Sequence, residues 1–238
     1  VPARGRSGVG RRAEKPGRAE GALAQSDVVS RFSQHQKRAF SLLLSAQTKR
    51  AFDISEEPES VRQKYGTGIN AMSMLMARRL AERGAGFITV TTDFVWDMHA
   101  DANNATMTEG MQYVGRPFDH AVSAFIEDVE ARGLSDKILL VCCGEMGRTP
   151  RVNKKAGRDH WGGSAPLMLY GGGLKMGQVI GSSTKDAGEP ASDRVTIPNL
   201  YATLMETVLD TGAVRAMAGI PKDVSDVING ASPIRQLM

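Results

Sequence analysis

The stretch Phe118-Asp119-His120-Ala121-Val122-Ser123-Ala124-Phe125-Ile126-Glu127-Asp128-Val129 runs through Gly133 into Lys137-Ile138-Leu139-Leu140-Val141-Cys142-Cys143, and closes on Gly144-Glu145-Met146-Gly147-Arg148-Thr149-Pro150. Phe118, Ala121, Val122, Phe125, Ile126 and Val129 recur at i, i+3, i+4, i+7, i+8 and i+11, so they line one face of a helix. Pro117 suits its first turn and Gly133 its end. The apolar run that follows shows no alternation, as expected of a strand buried on both faces. Beyond it, two glycines flank a carboxylate where the backbone must turn.

The same signals recur on either side of this unit. Upstream, Ile69, Met72, Leu75, Met76 and Leu80 predict a helix over 68–83 that stops at Gly84, and the methionines there read as core packing. Phe87-Ile88-Thr89-Val90-Thr91 is β-branched and aromatic, and predicts a strand. Apolar residues between Asp27 and Ala51 suggest one or two helices before a turn-rich segment at 53–58. Downstream, Pro166 to Tyr170 predicts a short strand ending in Gly171-Gly172-Gly173. Thr196 and Pro198 then open a helix with Leu200, Tyr201, Leu204, Met205 and Val208 on its apolar face. Strands alternating with helices predict an α/β sheet covered by helices, with ligand chemistry at the carboxyl ends of the strands.

The chain is 238 residues long with 41% hydrophobic and 24% charged, which is enough for one well-buried core. One domain over residues 26–238 is the expectation. The formal charge of +4 would point to a nucleic-acid partner if it were spread over the fold. It sits instead in residues 1–25, where six basic residues face two acidic ones, while 24 of each sign remain in the other 213. Those first residues, with five glycines and two prolines, read as a disordered basic tail. No nucleic acid and no membrane is expected as a partner, since no apolar run is long enough to cross a bilayer. Arg11-Arg12 resembles the start of a twin-arginine export signal, but no apolar segment follows, so compartment stays open. So does oligomeric state. The adjacent Cys142 and Cys143 offer neither a disulfide framework nor zinc spacing and read as small buried residues.

Four histidines occur, and two stand beside carboxylates just past expected strands. In Trp96-Asp97-Met98-His99, Asp97 and His99 are two apart and can face one ion; equally, Asp97 can cap a turn beside an exposed histidine. Arg148 brings a bidentate oxyanion binder close to Glu145, although the two can also form an ordinary surface pair. Gly157-Arg158-Asp159-His160-Trp161-Gly162-Gly163 packs charge, imidazole and indole between glycines. Its plain reading is a loop in which His160 bonds a carbonyl and Trp161 acts as anchor. His35 and His120 fall on polar stretches and read as solvated. Asp97, His99, Glu145, Asp159 and His160 together form the imidazole and carboxylate mixture suited to zinc, manganese, calcium or iron.

At these residues the chain resembles the family of domain of unknown function 1501, which is related to sulfatases of the alkaline-phosphatase superfamily. The resemblance is carried by Phe52-Asp53, Glu57-Pro58, Ala77-Arg78-Arg79-Leu80, Trp96 to His99, Gly144 to Pro150, Gly157 to Trp161 and Gly177 to Gly181. It implies a mixed, largely parallel sheet flanked by helices, with divalent metal at the strand ends and a small anionic sulfate or phosphate ester as substrate. Asp97, His99 and His160 are then ligands of one metal and Glu145 of a second. Asp159 orients His160 or binds metal, and Arg148 neutralises the ester anion. An Asp-His pair of alkaline phosphatases is matched here by Glu145 alone. The resemblance also implies a C-terminal portion of that fold, with the nucleophile upstream of residue 1. The alternative expectation is a non-catalytic α/β binding or scaffold domain that keeps these loops for structure.

Overall fold

The computed structural model describes residues 27–238, so the expected basic tail lies outside the described residues. The chain divides into two compact units at Asp53 and Ile54. In the first, α1 (Asp27–Leu44) and α2 (Ala46–Phe52) are the two helices expected there, and the Ser45 hydroxyl accepts from the Thr48 amide to cap the second. The remaining residues form the second unit, which carries every candidate site residue.

That unit is built around three helices, α3 (Glu59–Tyr65), α4 (Ile69–Glu82) and α6 (Gly115–Ala131), the last preceded by the short α5 (Met107–Tyr113). The apolar stripe of α6 behaves as its spacing requires: Ala121, Val122, Phe125 and Val129 are buried. Ala121, Ala124, Phe125 and Val129 join Tyr65, Ala71, Met74 and Leu75 in one core. Helix α4 stops where glycine permits it, with Gly84 at φ +89° and the Ala85 amide turned back to the Leu80 carbonyl.

The sheet differs from expectation. Strand β1 (Leu139–Cys143) pairs antiparallel with β4 (Leu167–Gly171), and the other ladders, β2 (Gly147–Arg148) with β3 (His160–Trp161) and β5 (Ser182–Ser183) with β6 (Pro190–Ser192), are short antiparallel pairs. The fold is therefore a mixture of helices with small antiparallel sheets, and the largely parallel sheet is not found among the described residues. The reason is the connection. A parallel neighbour needs a crossover, usually a helix, whereas the chain between β1 and β4 holds only the β2–β3 ladder and its loops.

For the same reason β1 is only half-buried. Its Leu140, opposite Tyr170, packs on the helical core, but a two-stranded ladder cannot enclose both faces, and Cys143 is exposed. Burial beside Cys143 pushes the Cys142 thiol up to about 11, which leaves it inert. Phe87 to Thr91 is no strand either: no described strand bonds to it, and Phe87 is 89% exposed. β-propensity registers fit to a pleated, half-covered surface and does not act without a neighbour.

The C-terminal part adds α7 (Ile197–Val208), α8 (Thr211–Ala216) and α9 (Lys222–Asn229). Thr196 and Asn199 form a reciprocal capping box at the start of α7, and Pro198 lies in its first turn. Its expected apolar face is only partly covered. Tyr201 and Val208 are exposed, while Ala202 and Thr203 are buried, and the Thr203 hydroxyl accepts from the Ile234 amide at 2.8 Å. No described helix is long and apolar enough to cross a membrane.

The least expected feature of the core is ionic. Arg78 is fully buried on α4, with Asp128 at 2.8 Å, Glu57 at 2.6 Å and Glu82 at 2.7 Å. Arg79 bonds Glu57, Arg132 reaches Asp128 and Glu57, and the Tyr65 hydroxyl donates to Asp128 at 3.1 Å. Burial alone would raise the Glu57 carboxyl. Hydrogen bonds and charge from Arg78, with Arg79 and Arg132, outweigh it and hold Glu57 below the ordinary range. His120 is exposed, as expected of the polar side of α6, but its Nε2 also meets the Tyr65 carbonyl at 2.8 Å and ties α6 to the end of α3.

Candidate metal centre

The segment from Asp97 to His99 lies outside helix and strand, with Met98 buried between the half-buried Asp97 and His99. Asp97 and His99 share the more open side, with Asp97 Oδ1 3.6 Å from His99 Nε2. Two backbone contacts fix the segment against the loop before β3: the Arg158 amide donates to the Met98 carbonyl at 2.8 Å, and Asn153 Nδ2 donates to the His99 carbonyl at 3.0 Å. Asn153 also shapes that loop, its Oδ1 accepting from the Lys155 and Gly157 amides at 3.0 Å.

Gly157 is required where the two segments touch. A Cβ on it would overlap the His99 backbone carbonyl. Gly157→Ala is therefore expected to push the His99 segment outward. A loss of about 1–3 kcal/mol of stability in chemical denaturation, as for overpacking elsewhere, checks this. Gly147 is held in the same way against the Ser164 carbonyl.

The short ladder brings the other two loops together. Arg148 on β2 is the direct cross-strand partner of His160 on β3, and Thr149 and Asp159 extend the pairing by a further backbone bond of 2.8 Å. His160 thus sits in a strand rather than a free loop. Trp161 anchors the end of it, donating from its indole to the Gly188 carbonyl at 2.6 Å.

The outcome is a convergence of three ligand-type atoms. One donor atom each from Asp97, His99 and His160 lies within 4.8 Å of the other two. Asp97 Oδ1 is 3.0 Å from His160 Nε2 and 3.6 Å from His99 Nε2. Ligands about 2.1 Å from a tetrahedral ion stand about 3.4 Å apart, so these distances bracket a tetrahedral edge. His99 Nδ1 meets the Arg158 carbonyl at 2.8 Å. A carbonyl only accepts, so the ring donates from Nδ1, and in the neutral tautomer this leaves Nε2, the nitrogen nearer Asp97, as the ligand atom. Orienting a ligand histidine through its other nitrogen is how metal sites are commonly built.

The charges around the triad are ordered too. The hydrogen bond from His160 holds Asp97 below the ordinary carboxylate range against the opposing effect of burial, and the charges of Arg148 and the two histidines add to it. Arg148 Nη2 stands 3.0 Å from Asp97 and 3.6 Å from Glu145. Its Nη1 is sheltered from solvent and has no hydrogen-bond partner among the described residues. Glu145 is placed beside Arg148 and outside the converging group, and Asp159 lies 3.5 Å from His99 Nδ1. A cavity of about 590 Å³ opens beside the two imidazoles, lined also by Asp101, Asn153, Lys154, Lys155 and Asp159.

Asn153 and the Arg158 carbonyl are the contributors that side-chain chemistry in the sequence did not single out. An asparagine four residues before a glycine, across Lys154-Lys155-Ala156, is the one local hint of an Asx-type loop.

A family model described as "Protein of unknown function (DUF1501)" matches residues 17–235. No curated protein matches the chain, and no solved structure does.

Proposed function

Since the chain belongs to the DUF1501 family, whose description names no activity, we propose its function from the site: Asp97, His99 and His160 bind a divalent cation, and the domain is a metal-dependent hydrolase of sulfate or phosphate esters. The observation that carries this reading is the meeting of Asp97 Oδ1 with the Nε2 atoms of both histidines, one of them already oriented by the Arg158 carbonyl. Two imidazoles and a carboxylate favour zinc or manganese over calcium, which prefers an all-oxygen shell. In this reading the domain is a relative of the sulfatases of the alkaline-phosphatase superfamily.

A divalent cation held there supplies Lewis acidity toward a phosphoryl or sulfuryl oxygen. The residues of the chain do the rest. Arg148, with its free Nη1 beside the triad, donates to the anionic oxygens of the ester. Asp159 and the Arg158 carbonyl hold the His99 ring in register. Glu145, exposed and 3.6 Å from the same Arg148 Nη2 that meets Asp97, is the carboxylate for a second cation in this scheme. One observation favours the second reading, a scaffold without metal: Asp97 already accepts from His160 and pairs with Arg148, so the cluster is satisfied as a hydrogen-bond network.

Titrating the chelator-treated protein with zinc and with manganese, by calorimetry and by metal analysis, separates the two. About one equivalent of cation is expected, with binding that tightens as pH rises because only neutral imidazoles can ligate. Less than about a tenth of an equivalent retained would leave the scaffold standing.

A further inference from the structure

Of the asparagines in the chain, Asn229 alone precedes a glycine. It is the last residue of α9, and both it and Gly230 are exposed. Glycine serves close approach here rather than a left-handed turn: its φ is −74°, and a Cβ would stand 2.6 Å from the Asp226 carbonyl. The same missing side chain leaves the Gly230 nitrogen unshielded. Nor is its amide engaged. The amides that follow α3 and α7, those of Gly66 and Leu209, turn back to carbonyls at 2.9 Å, whereas the Gly230 amide donates no hydrogen bond among the described residues.

The Asn229 side chain beside it is polarised. Arg215 on α8 donates from Nε to Asn229 Oδ1 at 3.1 Å, and its other nitrogens reach the Ile228 carbonyl at 3.2 Å and Thr211 Oγ1 at 3.3 Å, which holds the guanidinium in place. A cation donating to an amide oxygen draws charge from Cγ and meets the negative charge that forms on that oxygen when a nucleophile adds. Helix ends open locally at little cost, so the Gly230 nitrogen has the freedom to turn toward Cγ.

We propose that Asn229-Gly230 is a self-modifying site, at which the Gly230 nitrogen converts the Asn229 amide through a succinimide to aspartate and isoaspartate, with Arg215 assisting. The nitrogen loses its proton to water and bonds to Cγ, closing a five-membered ring within the chain. The tetrahedral intermediate collapses with cleavage of the bond from Cγ to Nδ2, and ammonia departs after taking up a proton from water. Water then opens the imide. Cleavage of its bond from nitrogen to Cγ gives aspartate, and cleavage of the bond to the main-chain carbon gives isoaspartate, with the chain rerouted through the side chain. Nothing is oxidised or reduced, and water is the co-reactant. Isoaspartate lengthens the backbone between α9 and Ile234, which is buried and whose amide donates to Thr203 on α7.

Trypsin releases Asp223–Arg235, in which Asn229 is the sole asparagine, so mass spectrometry of digests taken while the whole protein stands in mildly alkaline buffer reads this site alone. The mass gain of amide-to-acid exchange is expected there before it is seen in any peptide carrying Asn70, Asn103, Asn104, Asn153 or Asn199, and electron-transfer fragmentation is expected to find isoaspartate in the product. Asn229→Gln, whose longer side chain cannot close the five-membered ring, is expected to lose the signal. Arg215→Gln, at an exposed position, removes the cation and is expected to slow the reaction about tenfold, the scale of one charged hydrogen bond. A peptide Asp223–Arg235 that keeps its mass while the others gain, or a gain that persists in Asn229→Gln, overturns the site. A rate in Arg215→Gln equal to or above that of the native protein overturns the part given to Arg215.

Discussion

Asp97→Ala is expected to weaken cation binding by at least about a hundredfold, since loss of a mere supporting partner of a ligand already costs about ten- to a hundredfold. The expectation follows from the position of Asp97. Its Oδ1 is the atom shared by both imidazoles, at 3.0 Å and 3.6 Å, so removing it leaves two histidines with no third donor. It also strips Arg148 of its 3.0 Å partner, which frees the guanidinium to turn toward Glu145. Asp97→Asn is the sharper comparison. The amide oxygen still accepts from His160, so a scaffold role would be largely kept, whereas the anionic ligand is gone. Calorimetric titration of both variants with zinc, alongside far-ultraviolet circular dichroism, decides between the readings. Binding in Asp97→Ala as tight as in the native protein would end the assignment of the triad.

The second large effect concerns stability. Arg78→Ala is expected to destabilise the second unit by about 3–5 kcal/mol, the usual cost of stripping one partner from a buried ion pair. Glu57 and Asp128 are both buried and would each lose a bond of 2.6–2.8 Å, with Arg79 and Arg132 left to neutralise them alone. For a unit of this size that corresponds to a fall in melting temperature of roughly 10 °C. Arg78→Lys should fall between, because an ammonium keeps the charge but not the fork that reaches Asp128, Glu57 and Glu82 at once. A loss under about 1 kcal/mol in urea unfolding of Arg78→Ala would mean that the network contributes no more than exposed pairs do.

Much of the local structure was legible without coordinates. The stripe of Phe118 to Val129 gave its helix, and Gly84, Gly133, Thr196 and Pro198 marked ends and starts that the structure keeps. Those signals are local: a helix satisfies its own backbone, and a cap or a stop is set within one turn. Strands were read less well, because a strand is defined by its neighbour. Phe87 to Thr91 has the composition and no ladder, and the apolar run of β1 has a ladder on one side only.

The candidate site divides along the same line. Residue types and the short spacings within Asp97-Met98-His99 and Asp159-His160 were readable, and so was the expectation that these loops share a purpose. Which of them meet was not. The ladder pairing Arg148 with His160, the Asn153 turn that docks on His99, and the displacement of Glu145 toward Arg148 all depend on contacts between distant segments. The ionic core shows this most plainly. Nothing within a few positions of Arg78 and Arg79 marks them for burial; Glu57, Asp128 and Arg132 arrive from other segments to make it affordable.

By itself, then, the sequence determined three helices of the second unit, α4, α6 and α7, and the chemical vocabulary of the site, since both are written in residues a few positions apart. Tertiary structure alone decided the antiparallel pairing, the buried ion network and the choice of Asp97, His99 and His160 as the converging set. Each of those joins groups far apart along the chain, and only the packing that holds the segments together fixes how close they come.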